Sequence, residues 1–303
     1  MSNEKYCKFV SSRGIAYNCN IYPKEIISDT KMFDINDYKN IKNGDTVYVI
    51  SSVLDKFITN IFPELLKNTI CITLVTGACV NSVPNELSKL HKINYLKFAK
   101  SNKKYIKQWY TQNCDEENSD YIKLIPLGID YHTLQKYKLH AWGKGKSPLD
   151  QEKELLSIKE SSKDEIKKTM TFSYYHFRLF ERHNRDRYVA KEHLKTQSFN
   201  VFLNKKLKRC DIWKEQLKYH FVVSPHGNGL DCHRTWEAIM LGCIPIVKSS
   251  SLNSLFYDLP VLIINEWDEL NEELLIKTLK DFSSKKFNMK KLTLNYWTEY
   301  LNN

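Results

Sequence analysis

Residues 220–250, HFVVSPHGNGLDCHRTWEAIMLGCIPIVKSS, have the residue types and spacing best suited to chemistry. The pattern predicts a strand, a glycine-containing loop, a helix and a second strand. In the loop, Gly227 and Gly229 allow the backbone to approach a phosphate closely and to adopt positive φ angles. The helix that follows presents unpaired N–H groups to an anion. The predicted anion-binding loop comprises Ser224, His226, Gly227, Asn228 and Gly229.

The helix after this loop supplies a cation and a carboxylate. A helix N-terminus stabilises an anion by only about 0.3–2 kcal/mol, so added positive charge is expected from Arg234. Glu237 lies on a neighbouring face of the same helix, where its carboxylate can accept hydrogen bonds from a ribose diol. The alternative for Glu237 is a surface ion pair with Arg234. Ser249, at the end of the next strand, should reach the same cleft.

Other basic residues are candidates for the same anion. Arg185 and Arg187 lie in FRLFERHNRDRY (177–188), at the start of a predicted helix that should face the cleft. Phosphate contact and a solvated basic helix start are both open interpretations for this pair. His226 either contacts the anion or stabilises its own loop.

Candidates for proton transfer lie in the first half of the chain. Asp130, in PLGIDYHT, follows a predicted strand and is favoured as a general base because it would face the gap between two domains. His132 competes for that role. The alternative for both residues is turn formation and local helix capping.

The elements that must position these residues alternate between strand and helix. Predicted strands are 47–51, 70–77, 93–99 and 121–128 in the first half, and 170–177, 219–224, 243–247 and 259–265 in the second. Predicted helices are 53–66, 102–112, 184–194, 230–241, 267–282 and 292–301. This alternation is typical of βαβ units on a parallel sheet.

A chain of 303 residues fits two domains of about 150 residues each. We predict an α/β fold in which two Rossmann-like α/β/α domains, residues 1–140 and 169–285, face each other across a cleft. Residues 141–168 are highly charged and read as a linker with one exposed helix. Residues 286–303 are expected to form a helix that packs back on the N-terminal domain.

Composition narrows the class of partner and the compartment. The formal charge of +11 favours an anionic partner: a nucleotide diphosphate, a nucleic acid, an anionic glycan or a lipid headgroup. The eight cysteines show no CxxC pair, so neither a zinc site nor a disulfide scaffold is expected, which favours a reducing compartment. The sequence shows no signal-peptide or membrane-spanning pattern. We therefore expect a cytoplasmic protein with at most peripheral contact with an anionic membrane.

Residues 224–256, SPHGNGLDCHRTWEAIMLGCIPIVKSSSLNSLF, resemble the donor-binding half of exostosin-like glycosyltransferases. The resemblance is detailed over residues 219–267. It is looser at KQWYTQN (107–113) and PLGIDYHTL (126–134). It implies the two-domain arrangement called GT-B and a soluble viral or bacterial type of enzyme. It also implies transfer, with inversion, of a hexose or pentose from a nucleotide-sugar to a hydroxyl of a glycan, glycoprotein or glycolipid.

By this resemblance the C-terminal domain binds the donor and the N-terminal domain binds the acceptor. UDP is the favoured carrier, with GDP next. Thr76 and Gly77, after the strand ICITLV, resemble an acceptor-side loop, and a simple tight turn explains them nearly as well. No convincing Asp-x-Asp motif ends a strand, so we predict neither a metal nor a cofactor beyond the nucleotide-sugar co-substrate.

Two other functional classes make different demands on the sequence. A dehydrogenase or kinase would need a GxGxxG loop near the N-terminus or a GxxxxGK[ST] loop, and the sequence has neither. A non-enzymatic protein that binds polyanions or nucleic acid is the alternative, motivated by the net charge and by RHNRDR (182–187). Because the lysines are spread along the chain and no nucleic-acid-binding motif stands out, nucleic acid is not the expected partner.

Overall fold

The chain folds as an α/β protein throughout the part that the structure describes. The computed structural model describes residues 3–117, 119–175, 182–203 and 205–302, without the side chain of Asn184. Within these ranges, helices flank two parallel sheets of four and five strands. The predicted α/β class with two parallel sheets is therefore confirmed. No helix in these ranges has both the length and the apolar character needed to cross a bilayer.

The first sheet is built from apolar, β-branched runs whose strands are covered on both faces. Its strands, in spatial order, are β1 (Thr46–Ile50), β2 (Ile72–Gly77), β3 (Ile106–Thr111) and β4 (Ile122–Leu124). The helices of this half are α1 (Ser12–Tyr17), α2 (Leu54–Asn60), α3 (Phe62–Lys67), α4 (Asn85–His91), α5 (Tyr95–Ser101) and α6 (His132–Lys136). Every residue of β1 and β2 is buried, as expected where helices cover both faces of a parallel sheet.

Two predictions in this half are wrong. The predicted strand 93–99 is instead helix α5, because the Asn94 side chain caps it by accepting a hydrogen bond of 2.8 Å from the Lys97 amide. The predicted helix 102–112 is instead the inner strand β3, in which Trp109 is fully buried and pairs with Leu74 of β2. Pairing with β2 makes this segment a strand, and the helix-like spacing of its apolar residues does not reveal that pairing.

The strands of the second sheet are β7 (Lys168–Ser173), β8 (Asn200–Phe202), β9 (Tyr219–Val223), β10 (Ile244–Lys248) and β11 (Leu262–Ile264). Their spatial order is β11-β10-β9-β7-β8, and all neighbours are parallel. Its helices are α8 (Asp186–Leu194), α9 (Arg209–Gln216), α10 (His233–Met240), α11 (Asn253–Phe256) and α12 (Glu272–Ser283).

The sequence predicted most of the strands and helices of this second half. Strand β7 ends before 176 and 177, the last two residues of the predicted strand 170–177, which lie outside the described residues. Strand β8 and helix α9 were not predicted. Single 3-10 turns complete the secondary structure, at Asn3–Tyr6, Ile35–Tyr38, Ser51–Val53, Arg182–Arg185, Trp267–Glu269 and Met289–Leu292.

The charged segment between the sheets is more structured than expected. It contains a short hairpin, β5 (Leu139–His140) with β6 (Gly143–Lys144), and the helix α7 (Pro148–Ser161). The expectation that this helix is exposed is wrong, because Leu155 and Ile158 are buried. On the same face, the Glu152 carboxylate accepts hydrogen bonds of 2.9 Å from the Phe9 amide and 2.7 Å from the Tyr131 hydroxyl.

The carboxyl ends of the two sheets face each other. The loop that follows β3 contacts the loop that follows β9, where the Asp231 amide donates to Asn113 Oδ1 at 2.9 Å. The Leu127 amide in turn donates to Asp231 Oδ2 at 2.8 Å. After β10, Ser251 Oγ donates to the Cys114 carbonyl at 2.6 Å. Since α/β folds bind ligands at the carboxyl ends of their strands, this boundary is the place to look for a site.

The last helix, α13 (Leu294–Asn302), packs against the first half of the chain. It contacts α1, and the Tyr110 hydroxyl donates to the Tyr300 carbonyl at 3.1 Å. The final segment is thus tied to the first sheet.

Candidate functional site

Asp130 follows a turn that only glycine can make. Gly128 has φ +70°, and a Cβ added there would lie 2.1 Å from the Val10 carbonyl oxygen. The Ile129 amide donates to that same carbonyl at 2.9 Å. The turn is therefore held against the N-terminal segment, which fixes the start of α6 and the side chain of Asp130.

The Asp130 carboxylate is buried and hydrogen-bonded. It accepts hydrogen bonds from the Thr133 amide at 2.9 Å and the Thr133 hydroxyl at 2.7 Å, so it stabilises the first turn of α6, in line with the alternative interpretation. His132 Nδ1 also lies 3.0 Å from Asp130 Oδ1. Burial alone would raise the pKa of Asp130, but His233, Arg209 and the Thr133 hydrogen bonds together hold it below its ordinary value.

The two predicted base candidates therefore form one unit. Because an ionised carboxylate only accepts hydrogen bonds, the 3.0 Å contact favours a proton on His132 Nδ1, and a neutral His132 then carries its lone pair on Nε2. The His132 side chain is 25% exposed, whereas that of Asp130 is 5% exposed. His132 is thus the group that can reach a substrate, and Asp130 orients it.

A histidine from the second half of the chain meets this pair. His233, the first residue of α10, directs Nδ1 to the Gly128 carbonyl at 2.7 Å. Its ring centroid lies 5.7 Å from that of His132. The sequence alone does not show what surrounds His233, since its partner here is 105 positions away along the chain.

The two glycines of the loop allow side chains to pack close to the backbone and do not serve to adopt positive φ angles. Gly227 and Gly229 do not have positive φ, so that expectation is wrong. A Cβ added to Gly227 would lie 2.5 Å from Arg187 Nη2, and one added to Gly229 would lie 2.8 Å from Asn113 Nδ2. These positions thus admit an arginine and an asparagine side chain close to the backbone.

Several amides of this loop already have protein acceptors. The His226 amide donates to Asp186 Oδ2 at 2.8 Å, and the Gly227 amide donates to the Gly229 carbonyl at 3.0 Å. The Ser224 amide donates to a strand carbonyl at 2.9 Å. An anion bound here would therefore rely on side chains more than on these three amides.

Two guanidinium groups lie beside the loop. Among the described residues, Arg234 makes long hydrogen-bond contacts with neutral oxygens, one of them the Pro225 carbonyl at 3.4 Å, and its guanidinium lies 5.2 Å from the centre of the Tyr175 ring. Burial lowers the pKa of Arg234, and the nearby positive charge of Arg187 lowers it further. Concentrated positive charge of this kind is suited to a diphosphate.

Arg185 and His226 have local roles in the structure. Arg185 is exposed, has φ +57° and places its guanidinium 4.5 Å from the centre of the Tyr188 ring. His226 Nδ1 donates to the Leu230 carbonyl at 2.8 Å, which matches the loop-stabilising alternative. The His226 ring centroid is 5.7 Å from that of His183.

The remaining predicted donor contacts lie around the same edge. Ser224 Oγ and Thr235 Oγ1 are 2.8 Å apart, and both side chains are buried. Ser249 Oγ accepts a hydrogen bond of 2.9 Å from Asn253, and Asn228 is exposed.

Glu237 is held by residues that the sequence did not single out. Its Oε1 lies 2.5 Å from Arg209 Nη2, and its Oε2 accepts a hydrogen bond of 2.8 Å from Trp213 Nε1. Arg209 also donates to the Asp130 carbonyl and, at 2.9 Å, to Gln151 Oε1. The alternative pairing of Glu237 with Arg234 is not found, and Glu237 instead pairs with Arg209, which joins α9 and α10 to the Asp130 turn.

Thr76 and Gly77 lie at the end of β2 but face the interior. The fully buried Thr76 hydroxyl donates to Thr111 Oγ1 at 2.7 Å and accepts from Trp109 Nε1 at 2.9 Å. A Cβ added to Gly77 would lie 2.4 Å from Gln112 Oε1. Both residues belong to strand β2 and not to a tight turn, and the Thr76 hydroxyl is already engaged inside the sheet, so its expected contact with an acceptor is not supported.

Sequence reasoning missed Arg209 and Asp186 and did not settle the role of His233. Each is a polar residue in a helix of ordinary composition, and each acquires its role from a partner distant in the chain. Comparison with known protein-family models and with curated protein sequences finds no match to this chain.

Proposed function

We propose that the protein is a glycosyltransferase that moves a sugar from a nucleotide-sugar to a hydroxyl of a glycan or glycoconjugate. The observation that carries the proposal is the start of α10. His233 there contacts the turn of the His132–Asp130 pair, and the next residue, Arg234, lies beside the glycine loop and Arg187. Two consecutive residues of α10, His233 and Arg234, thus connect a proton acceptor with a positively charged site for an anion.

The chemistry follows from this pairing. The acceptor hydroxyl attacks the anomeric carbon as its proton passes to His132 Nε2, with Asp130 stabilising the resulting imidazolium. The bond from the anomeric carbon to the diphosphate oxygen breaks, and Arg234 and Arg187 balance the negative charge that leaves. Attack opposite the leaving group inverts the anomeric centre, and no step of this transfer uses a metal.

The resemblance to exostosin-like enzymes extends the proposal to its details. It supports a GT-B arrangement, a UDP-sugar as the favoured donor and a GDP-sugar as the next choice. It also supports donor binding by the second half of the chain and acceptor binding by the first.

A thermal-shift screen of UDP, GDP and their sugars tests donor binding. A ligand present at 100 times its Kd should stabilise the fold by about 2.7 kcal/mol. Replacing Arg234 by Met removes one charge-assisted contact and should weaken binding by about 10- to 100-fold. Lys195→Met removes the same charge from an exposed position paired with Glu192 and should bind as the wild type does.

Either of two results would overturn the proposal: no nucleotide stabilises the wild type, or Arg234→Met binds with unchanged affinity. Nucleic-acid binding that falls steeply with salt, with no saturable nucleotide-sugar binding, would favour the polyanion-binding alternative instead.

A further inference from the structure

Three potential metal ligands converge where the two halves of the chain meet. One nitrogen of His132, one nitrogen of His233 and one carboxylate oxygen of Asp130 all lie within 4.8 Å of one another. Two come from the start of α6 and one from the start of α10. The cluster thus spans both α/β halves.

One of the two imidazoles has the outer contact of a metal-binding histidine. His233 directs Nδ1 to the Gly128 carbonyl at 2.7 Å, and a backbone carbonyl is a usual partner of a metal-bound histidine. This contact leaves His233 Nε2 as its ligand atom. His132 Nδ1 and Asp130 Oδ1 are 3.0 Å apart, a separation that two ligands of one ion can have.

The geometry and charge suit a small divalent ion. Zinc binds imidazole nitrogen at about 2.0–2.1 Å and carboxylate oxygen at about 2.0–2.2 Å, so two ligands of a tetrahedral ion are about 3.3–3.5 Å apart. The ligand atoms here lie within 4.8 Å of one another, and side-chain rotations that close this difference would complete the site. The positive charge of the nearby Arg209 is balanced by Glu237 at 2.5 Å.

We propose that His132 and His233, with Asp130, form a Zn²⁺ site at this boundary. The site differs from the metal-free protein that the sequence predicted, because scattered histidines without a spacing motif gave no sign that they meet. One consequence rests on the proposed function: a Zn²⁺ ion held by both His132 and Asp130 would replace the direct contact between these two residues, on which the proton transfer depends. Zinc should therefore inhibit sugar transfer.

Calorimetric titration of the metal-free full chain with Zn²⁺ alone tests the site, and thermal unfolding gives a second readout. We expect one zinc equivalent that raises the unfolding temperature. His132→Ala and His233→Ala should each weaken this equivalent by more than about 100-fold, because loss of an outer partner alone costs 10- to 100-fold. His193→Ala, on α8 and away from the cluster, should bind zinc as the wild type does.

Absence of this zinc equivalent in the wild type, or wild-type affinity in either cluster variant, would overturn the proposal. Unfolding of each variant without metal shows whether it is folded, and a folded variant is required for comparison. Because the titration needs no nucleotide-sugar, its result does not depend on whether the proposed transfer activity is found.

Discussion

Glu237 offers a prediction in which structural and ligand-binding roles give different results. Its carboxylate lies 2.5 Å from Arg209 Nη2, and the two side chains are 14% and 5% exposed, respectively. Glu237→Ala would leave the guanidinium buried without its carboxylate and would remove the acceptor of the Trp213 indole hydrogen bond. Removing one partner of a buried ion pair costs about 3–5 kcal/mol. We expect a loss of about 4 kcal/mol in the free energy of unfolding.

Urea unfolding followed by fluorescence measures this loss. Glu237→Gln keeps a hydrogen-bond acceptor of the same shape and should lose less than Glu237→Ala. The double variant Arg209→Met/Glu237→Leu replaces both charges by apolar groups and should lose less than the sum of its single variants, since a buried pair is often replaceable in this way.

The reasoning would be refuted if Glu237→Ala unfolded with a free energy within about 1 kcal/mol of the wild type, a typical value for surface substitutions being about 0.5 kcal/mol. An unchanged stability with weakened nucleotide binding would instead assign Glu237 to the ribose, as the sequence alone predicted.

Three further substitutions test other parts of the structure. Burial raises the pKa of Glu4 from 4.5 to about 7, so its contribution to stability is present below pH 4.5 and is lost as the pH rises through 7. Between about pH 5 and pH 8, Glu4→Gln should therefore gain roughly 2–3 kcal/mol over the wild type in urea unfolding, and parallel pH profiles would contradict this. Gly128→Ala, with φ +70° and a Cβ 2.1 Å from the Val10 carbonyl, should lower stability by more than about 1–2 kcal/mol, and an unchanged unfolding temperature would contradict it. Gly229→Ala would place a Cβ 2.8 Å from Asn113 Nδ2 and should lower the free energy of unfolding by about 1–3 kcal/mol. Unchanged stability would show that the Asn113 side chain moves aside without a measurable cost.

Local sequence pattern is enough for the elements whose burial is nearly uniform. Strands β2, β9 and β10 are mostly apolar, and each is found where the sequence predicts it. The pattern fails at α5 and β3, where both helix and strand agree with the spacing. There an Asn94 cap and pairing of Trp109 with Leu74 decide the outcome, and the second of these is a contact between distant residues.

The candidate site shows the same division. Asp130 and His132 are two positions apart, and the sequence nominates both, but as rivals. Their union depends on a turn that Gly128 holds against the N-terminal segment. The Arg209–Glu237 pair, 28 positions apart, depends on how α9 lies beside α10. The meeting of His233 with Gly128, 105 positions apart, depends on how the two sheets face each other.

The central claim is that His132, oriented by Asp130, removes the acceptor proton while the arginines beside the glycine loop hold the departing diphosphate. Its most direct test is the rate of nucleoside diphosphate release from the UDP- or GDP-sugar that binds, compared between the wild type and His132→Gln. We predict a turnover about 100- to 10,000-fold lower in the variant, with donor affinity unchanged. Equal rates in the two proteins, or no release by the wild type from any donor that binds, would contradict the claim.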